Sequence, residues 1–180
     1  MRALHPHPAV AAPDIGIEAE ARRLEAHRLA LSFVVIGDVE ALTLPVPRPA
    51  RRADGLWQHT CFEAFVRLPD DPGYCELNLS PSGEWAAYRF SSHRTGMVEA
   101  DVPAPHIAIE VADGRFTVDA HIDLGGVLED ATARWTLGLS AVIETRDGNR
   151  SFWALAHPPG DPDFHHRDCF ALELPPPTGA

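Results

Sequence analysis

His106-Ile107-Ala108-Ile109-Glu110-Val111-Ala112-Asp113-Gly114-Arg115-Phe116-Thr117-Val118-Asp119-Ala120-His121-Ile122-Asp123 is the stretch that decides the fold. Phe116, Val118, Ala120 and Ile122 alternate with Thr117, Asp119 and His121, the period of two expected of a strand with one buried face. Ile107, Ile109 and Val111 keep the same period ahead of the turn. Asp113-Gly114 is the strongest short hairpin signal. A two-residue turn pairs 111 with 116 and 109 with 118, which puts the apolar residues of both strands on one face.

Outward from this hairpin the pattern repeats. Strands are expected near 16–24, 27–36, 57–67, 73–79, 84–90, 105–112, 115–123, 134–144, 151–157 and 169–173. The 13 glycines and 17 prolines fall mostly between these apolar runs. Gly125–Thr132 is the one plausible helical stretch. Many strands and almost no helix predict an all-β fold, a two-sheet antiparallel β-sandwich. Residues 1–14, rich in Ala, Pro and His, are expected to be a flexible N-terminus. Residues 15–174 form a single domain, and 175–180 a flexible tail. Thr43–Leu56, with three prolines and three arginines, reads as a loop, as do 91–104 and 158–167. Long loops on such a scaffold are usual places for binding.

Composition narrows the function. At 180 residues, 45% hydrophobic and 23% charged, the chain is an ordinary globular domain. Its net charge is −11, which disfavours nucleic acid as a partner. All 15 basic residues are arginine, which excludes a lysine Schiff base and a P-loop lysine. No apolar run resembles an export signal or a membrane span. The three cysteines, Cys61, Cys75 and Cys169, are an odd number without a CxxC, so reduced thiols and a cytoplasmic location are expected. No cofactor is implied: there is no Gly-rich phosphate loop, and adjacent residues such as His165-His166 point to opposite sides of an extended chain and rarely chelate one ion.

The block Leu56–Phe90 carries the chemistry. On its first strand Phe62, Ala64 and Val66 form a core face, leaving Trp57, His59, Cys61, Glu63 and Phe65 opposite. On the second, Cys75, Leu77 and Leu79 are core-like, and Tyr74, Glu76, Asn78 and Ser80 face away. Ser80-Pro81-Ser82-Gly83 then reverses the chain. A loop of two or four residues pairs even positions with odd ones. That places Trp85, Ala87 and Arg89 beside Glu76 and Asn78, with Tyr88 and Phe90 in the core. One sheet face would collect Trp57, Glu63, Tyr74, Glu76, Asn78, Trp85 and Arg89. Carboxylates, an amide, a guanidinium and aromatic rings on one surface suit sugar hydroxyls and sugar C–H faces. The plainer reading is an Arg89–Glu76 pair across the hairpin.

Leu56-Trp57-Gln58-His59-Thr60-Cys61-Phe62-Glu63-Ala64-Phe65 and Tyr74-Cys75-Glu76-Leu77-Asn78-Leu79-Ser80-Pro81-Ser82-Gly83-Glu84-Trp85 resemble the bacterial DOMON-like proteins, which are similar to family 9 carbohydrate-binding modules. The segments Ser151-Phe152-Trp153 and His165-His166-Arg167-Asp168-Cys169-Phe170 extend the match, so that it covers roughly residues 20–173. The resemblance implies a jelly-roll β-sandwich with a ligand cleft over one sheet, in which two aromatic rings clamp a terminal sugar. Trp57 matches the first clamp and Glu63 the strand glutamate. Phe164 takes the place of the second clamp, with Trp153 as its substitute. The relatives often carry an acidic residue two positions after the tryptophan; here it is His59.

The expected function is therefore non-catalytic binding of a small carbohydrate or cell-wall sugar, with Trp57, Phe164 and Trp153 stacking and Glu63, Glu76, Asn78 and Arg89 hydrogen-bonding. No enzyme activity, no nucleic acid and no membrane are expected, and the oligomeric state is left open. Two alternatives stand. Other DOMON domains hold haem between methionine and histidine, for which Met97 and one of His93, His157, His165 or His166 would serve. A protein-interaction module without a small ligand is the second. Glu63 and Glu76 as a hydrolytic carboxylate pair are a further reading.

Overall fold

The quoted hairpin forms in the register its turn dictates. Val111 pairs with Phe116 and Ile109 with Val118, around Gly114 in the left-handed region at φ 64°. Phe116, Val118, Ala120 and Ile122 are buried, whereas Val111 is exposed because its strand lies at the sheet edge.

The computed structural model describes residues 1–128, 130 and 132–177. Among them are twelve strands: β1 (Arg2–Pro6), β2 (Ile15–Arg23), β3 (Arg28–Gly37), β4 (Cys61–Arg67), β5 (Tyr74–Leu79), β6 (Trp85–Phe90), β7 (Val98–Glu99), β8 (His106–Ala112), β9 (Arg115–Asp123), β10 (Trp135–Glu144), β11 (Arg150–Ala154) and β12 (Leu172–Leu174). All strand pairs are antiparallel, in the order β7-β6-β5-β4-β10-β11-β1-β2-β3-β9-β8, with β12 also on β10. The expected helical stretch Gly125–Thr132 begins as a turn and runs into residues outside those described. Pro175–Pro177 carry no regular structure, and the rest of the expected tail also lies outside them.

Two expectations are corrected here. Arg2–Pro6 was expected to be loose, yet it is a strand. β1 pairs on one side with β2 (Leu4 opposite Ile17) and on the other with β11 (His5 opposite Ala154). Backbone bonding on both edges needs no side-chain alternation, so composition carried no sign of it. The consequence is that the anticipated pair of separate sheets is one continuous curled sheet with two arms.

The arms face each other across a shared core. Phe62 of β4 lies 5.1 Å from Phe33 of β3 and 5.8 Å from Phe116 of β9, ring centre to ring centre. Trp135 is fully buried, with the Arg23 guanidinium 3.8 Å from its ring centre. The core face of β4 and β5 is Phe62, Ala64, Val66, Cys75, Leu77 and Leu79, as the alternation predicts.

β6 is reversed relative to expectation, and its turn explains why. Leu79 pairs with Trp85. Ser80 and Glu84 are still bonded, through Ser80 N–H to Glu84 C=O at 2.9 Å, and Gly83 N–H returns to Ser80 C=O at 2.9 Å. Three residues, Pro81, Ser82 and Gly83, therefore span the turn, with Gly83 at φ 89°, the usual three-residue hairpin loop with a left-handed glycine. An odd loop pairs odd positions with odd. Trp85 and Ala87 thus turn into the core and Arg89 to the exposed surface of that side, while Tyr88 and Phe90 join the opposite face. Gly83→Ala is expected to cost about 1 kcal/mol or more, because of the positive φ and because the new Cβ would stand 3.1 Å from the Arg48 carbonyl oxygen. A drop of roughly 2–4 °C in Tm checks it; an unchanged Tm would show that the turn does not need glycine.

Candidate functional site

The outward face of β4, β5, β6, β10 and β11 is also packed rather than bare. Phe65, Tyr74, Phe90, Val142 and Ala154 form a second apolar layer with Phe164 and Phe170 from the segment between β11 and β12. That segment, the 91–97 loop and the short 3₁₀ turn Leu56–Gln58 enclose a cleft of about 850 Å³ over this face.

Each element contributes by its alternation. β4 supplies Glu63, β5 Glu76, β6 Tyr88 and Phe90, β10 Val142 and β11 Phe152. The 3₁₀ turn, preceded by Gly55 at φ 72°, projects Trp57 onto the rim, where it keeps 49% of its surface exposed. Asp54 accepts from the Tyr88 hydroxyl at 2.5 Å. Arg94 and Met97 come from the loop after β6, and Pro162, Phe164 and His165 from the segment after β11.

The floor is a chain of hydrogen bonds. Asn78, buried beside Glu76, donates to its Oε1 at 2.7 Å. Ser140 donates to Glu63 Oε2 at 3.3 Å. The Tyr74 hydroxyl accepts from the Arg94 backbone N–H at 3.1 Å and lies 2.8 Å from His165 Nδ1. The hydroxyl can donate its proton to Nδ1, and in that arrangement the imidazole proton lies on Nε2, facing Glu76 Oε2 at 3.8 Å. Arg94 holds Asp163 through Nε at 3.1 Å and Nη2 at 2.8 Å, and His93 takes the other Asp163 oxygen at 2.8 Å. Arg94 itself stands at φ 52°, an uncommon backbone conformation for arginine.

Burial sets the protonation states. Burial, reinforced by the neighbouring Glu76, pushes the Glu63 carboxyl well above the usual carboxylate range, and burial also raises Glu76. Burial and then Arg94 lower His165 to about 4, so it is a neutral donor at pH 7 and no ion pair with Glu76 forms. The linkage is opposite for the two kinds of group. The contribution of His165 is complete above its ordinary value of 6.5 and is lost as pH falls towards 4. That of the raised carboxyls is complete at low pH and is lost as pH rises through their folded range. His165→Gln is therefore expected to narrow its Tm deficit against the parent as pH falls from 6.5 to 4. A deficit constant across that window would show that His165 does not titrate there.

Of the residues expected at the site, Trp57, Glu63, Glu76 and Phe164 line the cleft, and Asn78 stands directly behind Glu76. Arg89 does not reach it: the three-residue turn puts it on the other side of the sheet, opposite Cys75. Trp153 is also elsewhere. It pairs with Ala141 on the core face, 3% exposed, and its indole N–H donates to Ser151 Oγ at 2.9 Å. Phe152, one position earlier, takes the cleft side. His59 bonds Glu144 at 2.8 Å. Sequence reasoning missed Tyr88 and Phe90, for which glycine as the third residue of a Pro-Ser-Gly loop was the available signal. It also missed Arg94 and the Nε2 of His165, for which no local signal exists. Among the described residues no group of three or more His, Cys, Asp or Glu is arranged to hold a metal ion, and no helix is long and apolar enough to cross a membrane.

The chain is similar in fold to three solved structures. A protein of Bacteroides uniformis described as a candidate carbohydrate-binding protein superposes with a TM-score of 0.66 at 13% identity, over 96% of this chain and 85% of its own. Two structures of a family 9 carbohydrate-binding module from Caldicellulosiruptor kristjanssonii, in complex with glucose and with cellotriose, give TM-scores of 0.53 and 0.55 at 12% identity, over 92% of this chain and 78% and 76% of theirs. No protein-family model matches the sequence, and no curated protein matches it significantly.

Proposed function

We propose that this chain is a non-catalytic sugar-binding domain whose ligand enters the cleft beneath Trp57. One observation carries the reading: a half-exposed indole on the rim of an aromatic-walled cleft whose floor offers carboxyl oxygens and an imidazole N–H. Sugars need that combination, with rings for their C–H faces and paired donors and acceptors for their hydroxyls. The module structures holding glucose and cellotriose support it from the side of the fold. We also place the protein in a reducing compartment, in keeping with three buried free thiols.

Calorimetric titration with glucose and cellotriose tests the proposal: saturable heat with either sugar and no glucose released from cellotriose on long incubation is the expected result. Release of glucose would make the Glu63–Glu76 pair hydrolytic. The haem reading keeps one observation in its favour, since Met97 and His165 line the same cleft. His165 is neutral and its Nε2 is the nitrogen not engaged by Tyr74, so it would fit an axial ligand in the tautomer that carries the ring proton on Nδ1, donated to the Tyr74 oxygen. A Soret band in the purified protein would establish that alternative; a colourless sample that binds sugar removes it.

A further inference from the structure

The carboxyls of the cleft floor are poorly matched to a neutral ligand. Glu63 is 3% exposed and lines the cleft, and its one hydrogen-bond partner among the described residues is Ser140, at 3.3 Å on Oε2. Oε1 has none. Glu76, 5% exposed, spends Oε1 on Asn78, while Oε2 has only the His165 Nε2 at 3.8 Å, beyond hydrogen-bond reach. Arg94, the cation lining the cleft, gives its Nε and Nη2 hydrogen bonds to Asp163 and acts on the two carboxyls only through space, where its charge lowers both without offsetting their burial. Two buried carboxyls, each with one oxygen unclaimed, thus share the floor of a cleft walled by aromatic rings. Neither oxygen is among the buried polar atoms left without a partner among the described residues, so both open onto the cleft, where a ligand's donor can reach them.

We propose, resting on the sugar-binding reading above, that the cleft selects sugars bearing a free amino group, with the ammonium taken by the unclaimed oxygens of Glu63 and Glu76. An ammonium supplies three donors and a positive charge where the site has spare acceptors, and aromatic faces around it add to the attraction. The raised titration of both carboxyls accords with this: burial favours their protonated forms, and a bound ammonium would draw them back to carboxylates with release of protons. A hydroxyl at the same position could satisfy one oxygen but brings no positive charge to stabilise the carboxylate form.

The test compares glucosamine, N-acetylglucosamine, glucose and cellotriose by calorimetry on the full chain near neutral pH, where much of the sugar amine is protonated and the carboxyls can release their protons. Glucosamine is expected to bind about tenfold tighter or better than both glucose and N-acetylglucosamine. Glu63→Gln and Glu76→Gln, each isosteric, should bring the ratio of glucosamine to glucose affinity close to one, whatever each does to glucose affinity itself. Glucose or cellotriose binding with no preference for glucosamine would overturn this inference and leave the sugar-binding domain standing. A preference that survives in both variants would also overturn it. Binding of none of the four would overturn the sugar reading itself. The comparison among sugars is made on the unaltered protein, so it stands even if a variant does not fold.

Discussion

Trp57→Ala is expected to weaken binding of glucose or cellotriose by roughly two orders of magnitude while leaving Tm within a few degrees. The indole keeps 49% of its surface in contact with water, so a stacked sugar would cover on the order of 100 Å² of it. At about 25 cal/mol per Å² that is about 2.5 kcal/mol, or roughly seventyfold. Little core is lost, since the residue lies on a 3₁₀ turn at the cleft rim. Titration of the variant beside a thermal melt reads both quantities. A variant that melts far lower with unchanged affinity would assign Trp57 to packing rather than to the ligand.

Phe62→Ala should do the reverse. Phe62 is fully buried and bridges the arms, touching Phe33 and Phe116 at ring-centre distances of 5.1 and 5.8 Å. Truncating a buried phenylalanine costs about 3–5 kcal/mol, because the cavity is added to the lost transfer energy. In a domain of this length that is a fall of about 10 °C or more in Tm. Binding by the surviving folded fraction should be nearly unchanged, since Phe62 points away from the cleft-facing Glu63. Chemical denaturation gives the free energy directly. A loss below about 1 kcal/mol would mean that the arms do not depend on this contact.

How far the sequence carried each conclusion depends on whether a local rule was in play. Alternation alone set the faces of β4, β5, β8 and β9, because one-sided burial enforces a period of two. The face of β6 depended instead on the parity of a loop. Counting Ser80–Gly83 as four residues rather than as a three-residue turn flipped Trp85, Tyr88, Arg89 and Phe90 together. Trp153 and Phe152 were ambiguous for a similar reason: both are aromatic, and only the pairing of Trp153 with Ala141 decides which looks inward. Arg94 and His165 reached the cleft through loops, where their contacts join residues 69 and 91 positions apart, and no periodicity describes them. β1 was illegible because backbone pairing on both edges leaves little mark on its side chains.

That strand has a consequence for how the protein is made. β2 follows β1 closely along the chain and can pair with it at once, but the other neighbour of β1, β11, is synthesised only after the nine strands β2–β10. At about 5–20 residues per second, a nascent chain on the ribosome carries an open strand edge for roughly ten to thirty seconds before the sheet can be completed.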